Sequence, residues 1–213
     1  MKIIGIHGIG QTYLGAEQLK LKWLAALQDG LKEANGPNIQ PSDFEMVGYG
    51  ALFRPGEFRS AGGLRIDPGE LNDWECQLLA EWWREAATLS AASRGLDQDE
   101  VAGIQGPDFE GRARTPQMVQ RALRQLAKSR FFSAIGPERV LLFGLRQVRL
   151  FLHDAELKRS VLARVAESVS SQTRIIIAHS LGSIVAYEFL CANPNSNIDA
   201  LVTIGSPLGI RNL

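Results

Sequence analysis

The sequence predicts an α/β fold in which a mostly parallel sheet carries helices on both faces. Short apolar runs rich in β-branched residues alternate with longer segments whose apolar residues recur at helical spacing. A helix separates consecutive strands near both ends of the chain, as crossovers between parallel strands require. With 213 residues, of which 45% are hydrophobic and 22% charged, the chain is long enough for one domain with a well-buried core.

The elements follow in order along the chain. A first strand is expected over residues 2–6, where an apolar run ends in a glycine-rich turn, and leucines at helical spacing predict a helix over 16–34. A second strand is expected over 44–49, before Gly50. The later elements are a helix from Asp154 to about 169, a strand over 174–179, a helix over 181–191 and a strand over 201–204.

Residues 54–137 interrupt this alternation. Glycine- and proline-punctuated loops surround helical segments there, so we expect a helical cap inserted into a single domain whose core is formed by 1–53 and 138–213. One helix in the insertion carries a wide apolar stripe, expected to face a core, at Leu71, Trp74, Leu78, Trp82, Ala86 and Leu89. Its tryptophans Trp74, Trp82 and Trp83 form either the seam between cap and sheet, which we favour, or a lid over an acyl-chain pocket.

The insertion is also divided by charge. Residues 67–110 contain eleven acidic residues and two arginines, whereas 112–149 contain nine basic residues and one glutamate. The two segments pair with each other, or the basic one presents a face to anionic head groups or a phosphorylated acyl carrier. The sequence favours pairing.

Composition excludes several classes of protein. A formal net charge of zero argues against nucleic-acid binding. The apolar run before His7 is too short for a signal peptide or a membrane span, and no residues have metal-ligand spacing. Cys76 and Cys191 are expected to be buried thiols rather than a disulfide, so we expect a cytoplasmic protein with no transmembrane segment.

The candidate nucleophile is Ser180. A strand leads to it, an apolar helix leaves it, and Ala178 and Gly182 flank it two residues away on each side. Small flanking residues are needed where a serine stands on a sharp strand-to-helix turn, because the helix passes close to the strand. The alternative is that Ser180 simply caps the helix, a role that serine often takes.

Two backbone groups are expected to stabilise a developing oxyanion. The Leu181 N–H lies at the positive end of the predicted helix and has no partner within it. The second donor is expected from the turn over 7–10, where glycines allow close approach: Ile9 N–H is preferred and Gly8 N–H is the fallback. Alone, this turn would be read as a plain tight turn or a weak phosphate-binding loop.

Three segments together resemble the α/β-hydrolase superfamily, particularly its lipase-like and esterase-like members. They are His7-Gly8-Ile9-Gly10, Ala178-His179-Ser180-Leu181-Gly182 and Val202-Thr203-Ile204-Gly205-Ser206-Pro207. The resemblance implies hydrolysis of a carboxylic ester or lipid ester through an acyl-enzyme on Ser180, without a cofactor. Peptidase and thioesterase activities are not separated from it. His7 and Ser206 are expected at the pocket.

The sequence departs from this family after the nucleophile. The fold requires an acid and then a histidine after the serine, but only Glu188 and Asp199 follow Ser180, with no histidine. We therefore expect the chain to be the N-terminal part of a hydrolase, with both residues beyond Leu213 in a further domain or a protein partner. The alternative is a non-catalytic binding or regulatory module that keeps the hydrolase shape.

None of the three histidines is expected to replace the missing one. His179 is expected to be buried and to point away from Ser180, because neighbouring strand residues face opposite sides. His7 is expected to brace the turn, and His153 lies next to Asp154 at a predicted helix start.

Overall fold

A computed structural model describes residues 1–54, 70–92, 116–128 and 138–209. The strands in these ranges are β1 (Lys2–Ile6), β2 (Phe44–Val47), β3 (Thr173–His179) and β4 (Ala200–Ile204). The helices are α1 (Ala16–Glu33), α2 (Asp73–Ala92), α3 (Pro116–Lys128), α4 (Glu138–His153), α5 (Ala155–Ser168) and α6 (Leu181–Ala192). Short 3-10 turns occupy Gly50–Phe53 and Pro207–Gly209.

The four strands form one parallel sheet in the order β2-β1-β3-β4. In the register, Ile6 lies beside Val47 on one side and Ala178 on the other, and His179 lies beside Ile204. Because parallel strands all end at the same edge, the turns that follow β1, β3 and β4 meet there. The predicted α/β fold with a parallel sheet is confirmed.

Helices cover both faces of the sheet. Ile3 lies on the face that packs against Leu19 and Leu24 of α1, in one cluster with Phe44 and Met46 of β2. Side chains alternate along a strand, so the next residues point to the opposite face. On that face, strand residues such as Ile4 and Ile176 are buried, and α5 and α6 contact the strands.

Local sequence explains where several helices begin. Asp154 caps α5, because its carboxylate accepts hydrogen bonds of 3.0 Å from the N–H groups of Glu156 and Leu157. At the start of α2, the Asn72 side chain accepts from the Glu75 N–H at 2.9 Å, and the Glu75 carboxylate accepts from the Asn72 N–H at 3.0 Å. This reciprocal pair satisfies two backbone donors that the helix leaves free.

The chain divides into two compact units. The first comprises Met1–Gly56 and Phe151–Leu208 and contains the sheet; the second comprises Glu57–Leu150 and Gly209–Leu213. The predicted insertion begins at residue 54, close to the start of the second unit at Glu57. It is predicted to end at 137, whereas the second unit continues to Leu150. A single domain with an inserted cap remains a prediction.

In the second unit, α2 has a buried apolar stripe and an acidic side chain that pairs with arginines. Leu78, Trp82 and Ala86 are buried, as expected of a stripe that faces a core. The Glu75 carboxylate is 1% exposed and accepts a hydrogen bond of 2.8 Å from the Arg149 Nε. Its second cation is Arg146, with Nε at 3.8 Å. These contacts favour mutual pairing of the acidic and basic segments.

Two further expectations concern the environment of the chain. No helix in the described ranges is both long and apolar enough to cross a membrane. Both cysteines are free thiols, and Cys76 is buried as expected. Cys191 is exposed, which corrects the sequence prediction: it lies in the last turn of α6, away from the face that packs on the sheet.

Candidate active site

Ser180 stands alone between the end of β3 and the start of α6. Its backbone has φ 51° and ψ −124°, so it lies outside the regions that residues with a side chain normally occupy. The Ser180 N–H donates a hydrogen bond of 3.0 Å to the Ile204 carbonyl, which ties the turn to β4. Such a conformation costs about 1–3 kcal/mol and persists only where the surrounding structure imposes it.

The space around the turn explains its small residues. A Cβ on Gly182 would lie 2.5 Å from the His7 carbonyl oxygen and closer still to that of Ile6, separations that real Cβ atoms essentially never show. Glycine at 182 therefore lets α6 start directly beside the end of β1. On the other side of Ser180, the Ala178 methyl is fully buried.

The helix-cap alternative for Ser180 does not describe what its side chain does. The side chain makes no capping hydrogen bond to α6, and capping residues normally have an extended backbone rather than a positive φ. The first turn is instead closed by Ser183, whose N–H donates to the Ser180 carbonyl at 2.9 Å. The Ser180 hydroxyl is therefore not used to start the helix.

The turn after β1 lies against Ser180, as the predicted oxyanion loop requires. A Cβ on Gly8 would lie 2.7 Å from the Ser180 Cβ and 2.8 Å from the His179 Nδ1, so only glycine fits there. The turn continues through the buried Ile9 to Gly10, which has a φ of 78°. Gly8 is thus beside the nucleophile, and the choice between Ile9 and Gly8 as second donor stays a prediction.

Leu181, the other predicted donor, is the first residue of α6 and is 1% exposed. An N–H at this position has no partner within its helix and lies at the positive end of the helix dipole. The position agrees with the sequence prediction.

His7 is buried under the turn, where it braces the backbone. Its Nδ1 lies 2.9 Å from the Gly8 carbonyl oxygen; because a carbonyl only accepts, Nδ1 carries the proton. The ring stacks on Tyr49 with centroids 4.1 Å apart and planes 3° from parallel, and the Tyr49 hydroxyl donates to the His7 carbonyl. Sequence reasoning missed Tyr49, although an aromatic residue at the end of a predicted strand beside β1 was a usable signal.

Burial sets the charge state of His7. Desolvation lowers its pKa from 6.5 to about 4; the hydrogen bond to Gly8 opposes this shift, and the nearby His179 adds to it. His7 is therefore neutral at neutral pH, with its one proton committed to Gly8. This arrangement suits a brace for the turn and does not suit a general base.

Ser206, predicted at the pocket, lies at the same edge of the sheet and is half-buried. Its hydroxyl donates to the Ser183 Oγ at 2.8 Å and accepts from the Leu208 N–H at 3.2 Å. The fully buried Ser183 hydroxyl donates in turn to the Ser180 carbonyl. Sequence reasoning did not single out Ser183, because a serine inside an apolar helix carries no signal of its partners.

The other histidines and acids do not complete a triad within the described residues. His179 is only half-buried, which corrects the expectation of burial. Its ring and that of Trp23 are nearly perpendicular, with centroids 6.4 Å apart, and desolvation lowers the pKa of His179. His153 is exposed at the end of α4. The two acids form ion pairs elsewhere, Glu188 with Lys158 at 2.8 Å and Asp199 with Arg174 at 3.3 Å.

No cluster of three or more histidine, cysteine or carboxylate side chains in the described part of the chain could hold a metal ion. In comparisons with known proteins, no family model, no curated protein and no solved structure matches the chain.

Proposed function

We propose that this chain is a serine hydrolase that cleaves a carboxylic ester or a lipid ester through an acyl-enzyme on Ser180. The observation that carries the proposal is the conformation of Ser180. A single strained residue with φ 51° joins a parallel strand to a helix, and its side chain takes no part in capping that helix. Strain of this kind gathers at functional sites, and a mere cap would not need it.

The surroundings of Ser180 support the same chemistry. Gly8 and Gly182 allow the turn after β1 and the start of α6 to converge on it, with no room for a Cβ at either glycine. The Leu181 N–H and a second N–H, from Ile9 or Gly8, would bind the oxygen of a carbonyl under attack. Donors placed before the reaction stabilise such charge without reorganisation, and each contributes about 10²–10³ in rate.

The reaction balances as an acyl transfer to water. The Ser180 hydroxyl gives its proton to a base while its oxygen bonds to the acyl carbon, and the carbonyl electron pair moves to the oxygen held by the N–H groups. The C–O bond of the ester then breaks and the alcohol leaves with that proton. Water repeats the path, which releases the acid and restores the serine. The resemblance implies a histidine as the base.

An organophosphorus probe tests the proposal directly. A fluorophosphonate reacts when a serine oxygen attacks phosphorus and fluoride leaves, so intact-mass spectrometry shows one added probe mass for each activated serine. We expect one addition on the unmutated protein expressed to its native C-terminus, called the native chain below, and none on its Ser180→Ala variant. Gly8→Ala keeps the hydroxyl but should lose most of the labelling, because its Cβ would lie 2.7 Å from the Ser180 Cβ.

Ser160→Ala is the matched control, because Ser160 is an exposed helical serine whose hydroxyl donates to the Glu156 carbonyl at 2.9 Å. This variant should label like the native chain. If the native chain takes up no probe, or Ser180→Ala still takes it up, Ser180 is not an activated nucleophile and the proposal fails. A positive result would then be followed by p-nitrophenyl esters of increasing chain length.

The alternative is a non-catalytic binding or regulatory module that keeps the hydrolase shape. One observation favours it: the one proton of His7 is committed to the Gly8 carbonyl, and the two acids that follow Ser180 are held in ion pairs with Lys158 and Arg174. A serine without a base is a weak nucleophile. Absence of labelling on the native chain would support this alternative, and partner-binding assays would follow.

A further inference from the structure

A chain of hydrogen bonds runs from the turn after β4 to the backbone of Ser180. The Leu208 N–H donates to the Ser206 Oγ at 3.2 Å, and the Ser206 hydroxyl donates to the Ser183 Oγ at 2.8 Å. The Ser183 hydroxyl donates to the Ser180 carbonyl oxygen. Each hydroxyl thus accepts from the group behind it and donates to the group ahead.

The carbonyl at the end of this chain belongs to the same peptide unit as the Leu181 N–H. A peptide unit is planar, and in a trans unit its C=O and N–H point in opposite directions. No cis peptide bond occurs among the described residues. Interactions that fix the direction of the Ser180 carbonyl therefore also fix the direction of the Leu181 N–H, the predicted oxyanion donor, which points the opposite way.

Helix formation alone does not explain the hydroxyls. The Ser183 N–H already donates to the Ser180 carbonyl at 2.9 Å, which closes the first turn of α6. The hydroxyl adds a second bond to the same oxygen, and Ser206 supports it from a different element of the sheet edge. Because Ser183 is fully buried, the bonds act in a medium of low dielectric, where donors in series polarise one another.

We propose that Ser183 and Ser206 are positioning residues that orient the Ser180–Leu181 peptide, so that the Leu181 N–H points at the oxyanion of the reaction. This inference rests on the proposed serine-hydrolase function. Neither hydroxyl touches the substrate; both act through the peptide plane. Polarisation of the carbonyl also makes the Leu181 N–H a stronger donor, because the two groups share one conjugated unit.

The test uses the full chain in four variants: Ser183→Ala, Ser206→Ala, Ser206→Thr and Ser160→Ala. The first two break the chain of hydroxyls, Ser206→Thr keeps a hydroxyl at 206, and Ser160→Ala removes a hydroxyl bonded to a helix carbonyl elsewhere in the sheet unit. If Ser183→Ala does not fold, Ser206→Ala carries the test, since Ser206 is only half-buried.

The first measurement is the rate constant of fluorophosphonate labelling at saturating probe, separated from probe affinity. Loss of a whole oxyanion donor costs about 10²–10³ in rate, so a donor that is present but poorly aimed should cost about tenfold in Ser183→Ala and about threefold in Ser206→Ala. Ser206→Thr should restore the rate, and Ser160→Ala should not change it. Probe affinity should stay constant throughout, which a general loosening of the pocket would not allow.

The second measurement does not depend on catalysis. In ¹⁵N–¹H spectra, the Leu181 amide nitrogen should move upfield in Ser183→Ala and Ser206→Ala, because the carbonyl of its own peptide unit loses polarisation. Ser206→Thr and Ser160→Ala should leave it in place. An unchanged Leu181 signal in both alanine variants overturns the inference.

The two proposals fail in different ways. If the native chain labels but both alanine variants label at the native rate, the positioning role is wrong and the serine hydrolase stands. If the native chain does not label, the hydrolase proposal fails, and the orientation of the peptide is decided by the Leu181 signal alone.

Discussion

Gly182→Ala tests whether the close approach of α6 to β1 is as rigid as the site requires. Helix propensity alone predicts that this change stabilises the protein, because alanine is favoured over glycine in a helix by about 1 kcal/mol. The structure predicts the opposite. The new Cβ would lie 2.5 Å from the His7 carbonyl oxygen and closer still to that of Ile6.

Both obstacles are backbone atoms, so the side chains cannot absorb the clash by rotating. Ile6 lies between Val47 and Ala178 in the sheet, and moving its carbonyl would disturb two strand pairings. Overpacking a core costs about 1–3 kcal/mol, and two backbone contacts place this site at the upper end of that range. After subtracting the gain of about 1 kcal/mol in propensity, we expect the free energy of unfolding to fall by about 2 kcal/mol.

Gly30→Ala is the matched control, because Gly30 lies in α1 with nothing within 4 Å of a new Cβ. Its free energy of unfolding should rise by about 1 kcal/mol. Both glycines belong to the sheet unit, so urea unfolding followed by circular dichroism compares them on the same structure. If Gly182→Ala is as stable as the native chain while Gly30→Ala is stabilised, the Ile6 and His7 carbonyls can move to accommodate a Cβ. The close approach of α6 to β1 would then not be rigid.

Two further predictions concern Ser180 and His7. Ser180→Gly should raise the free energy of unfolding by about 1 kcal/mol, because glycine tolerates a φ of 51° and relief of strain exceeds its entropy cost; Ser180→Ala keeps the strained Cβ and should change stability little. A urea midpoint for Ser180→Gly at or below that of Ser180→Ala would show that the backbone of Ser180 is not strained. Burial lowers the pKa of His7 from 6.5 to about 4, so between these two pH values the unfolded chain binds a proton that the folded chain does not. Stability should therefore hold above pH 6.5 and fall by about 3 kcal/mol as the pH drops towards 4. Urea midpoints measured as a function of pH test this prediction. His7→Phe should remove most of the loss of stability at low pH and leave only the part that the lowered pKa of His179 contributes in the same direction. An identical pH dependence in His7→Phe would show that His7 is not the group responsible.

Several elements could be predicted because their signals are local. The run of isoleucines before Ala178 indicates a buried strand, and β3 ends at His179 as expected. The helix after Ser180 begins at Leu181, where the sequence places it. α5 begins one residue after Asp154, whose side chain caps it. In each case the residues that decide the structure lie within a few positions of the element itself.

Other features were missed because distant residues decide them. The sequence did not predict α3 and α4 as separate helices, because their apolar residues lie among loops and charged residues whose partners are elsewhere in the chain. Cys191 was expected to be buried, but helical spacing alone does not tell which face of α6 packs on the sheet. His179 was likewise expected to be buried, yet its exposure depends on how the turn at Gly8 passes it.

The sequence by itself determined the parallel α/β architecture, the position of Ser180 between a strand and a helix, and the need for glycine at 182. These follow from periodicity and from the small size of neighbouring residues. Only the tertiary structure decided that Gly8 lies against Ser180, that Tyr49 holds the His7 turn, and that Ser206 supports Ser183. Tyr49 and His7 are 42 positions apart and Ser206 and Ser183 are 23 apart, and hydrogen bonds over such separations form only when the sheet brings the ends of its strands to one edge.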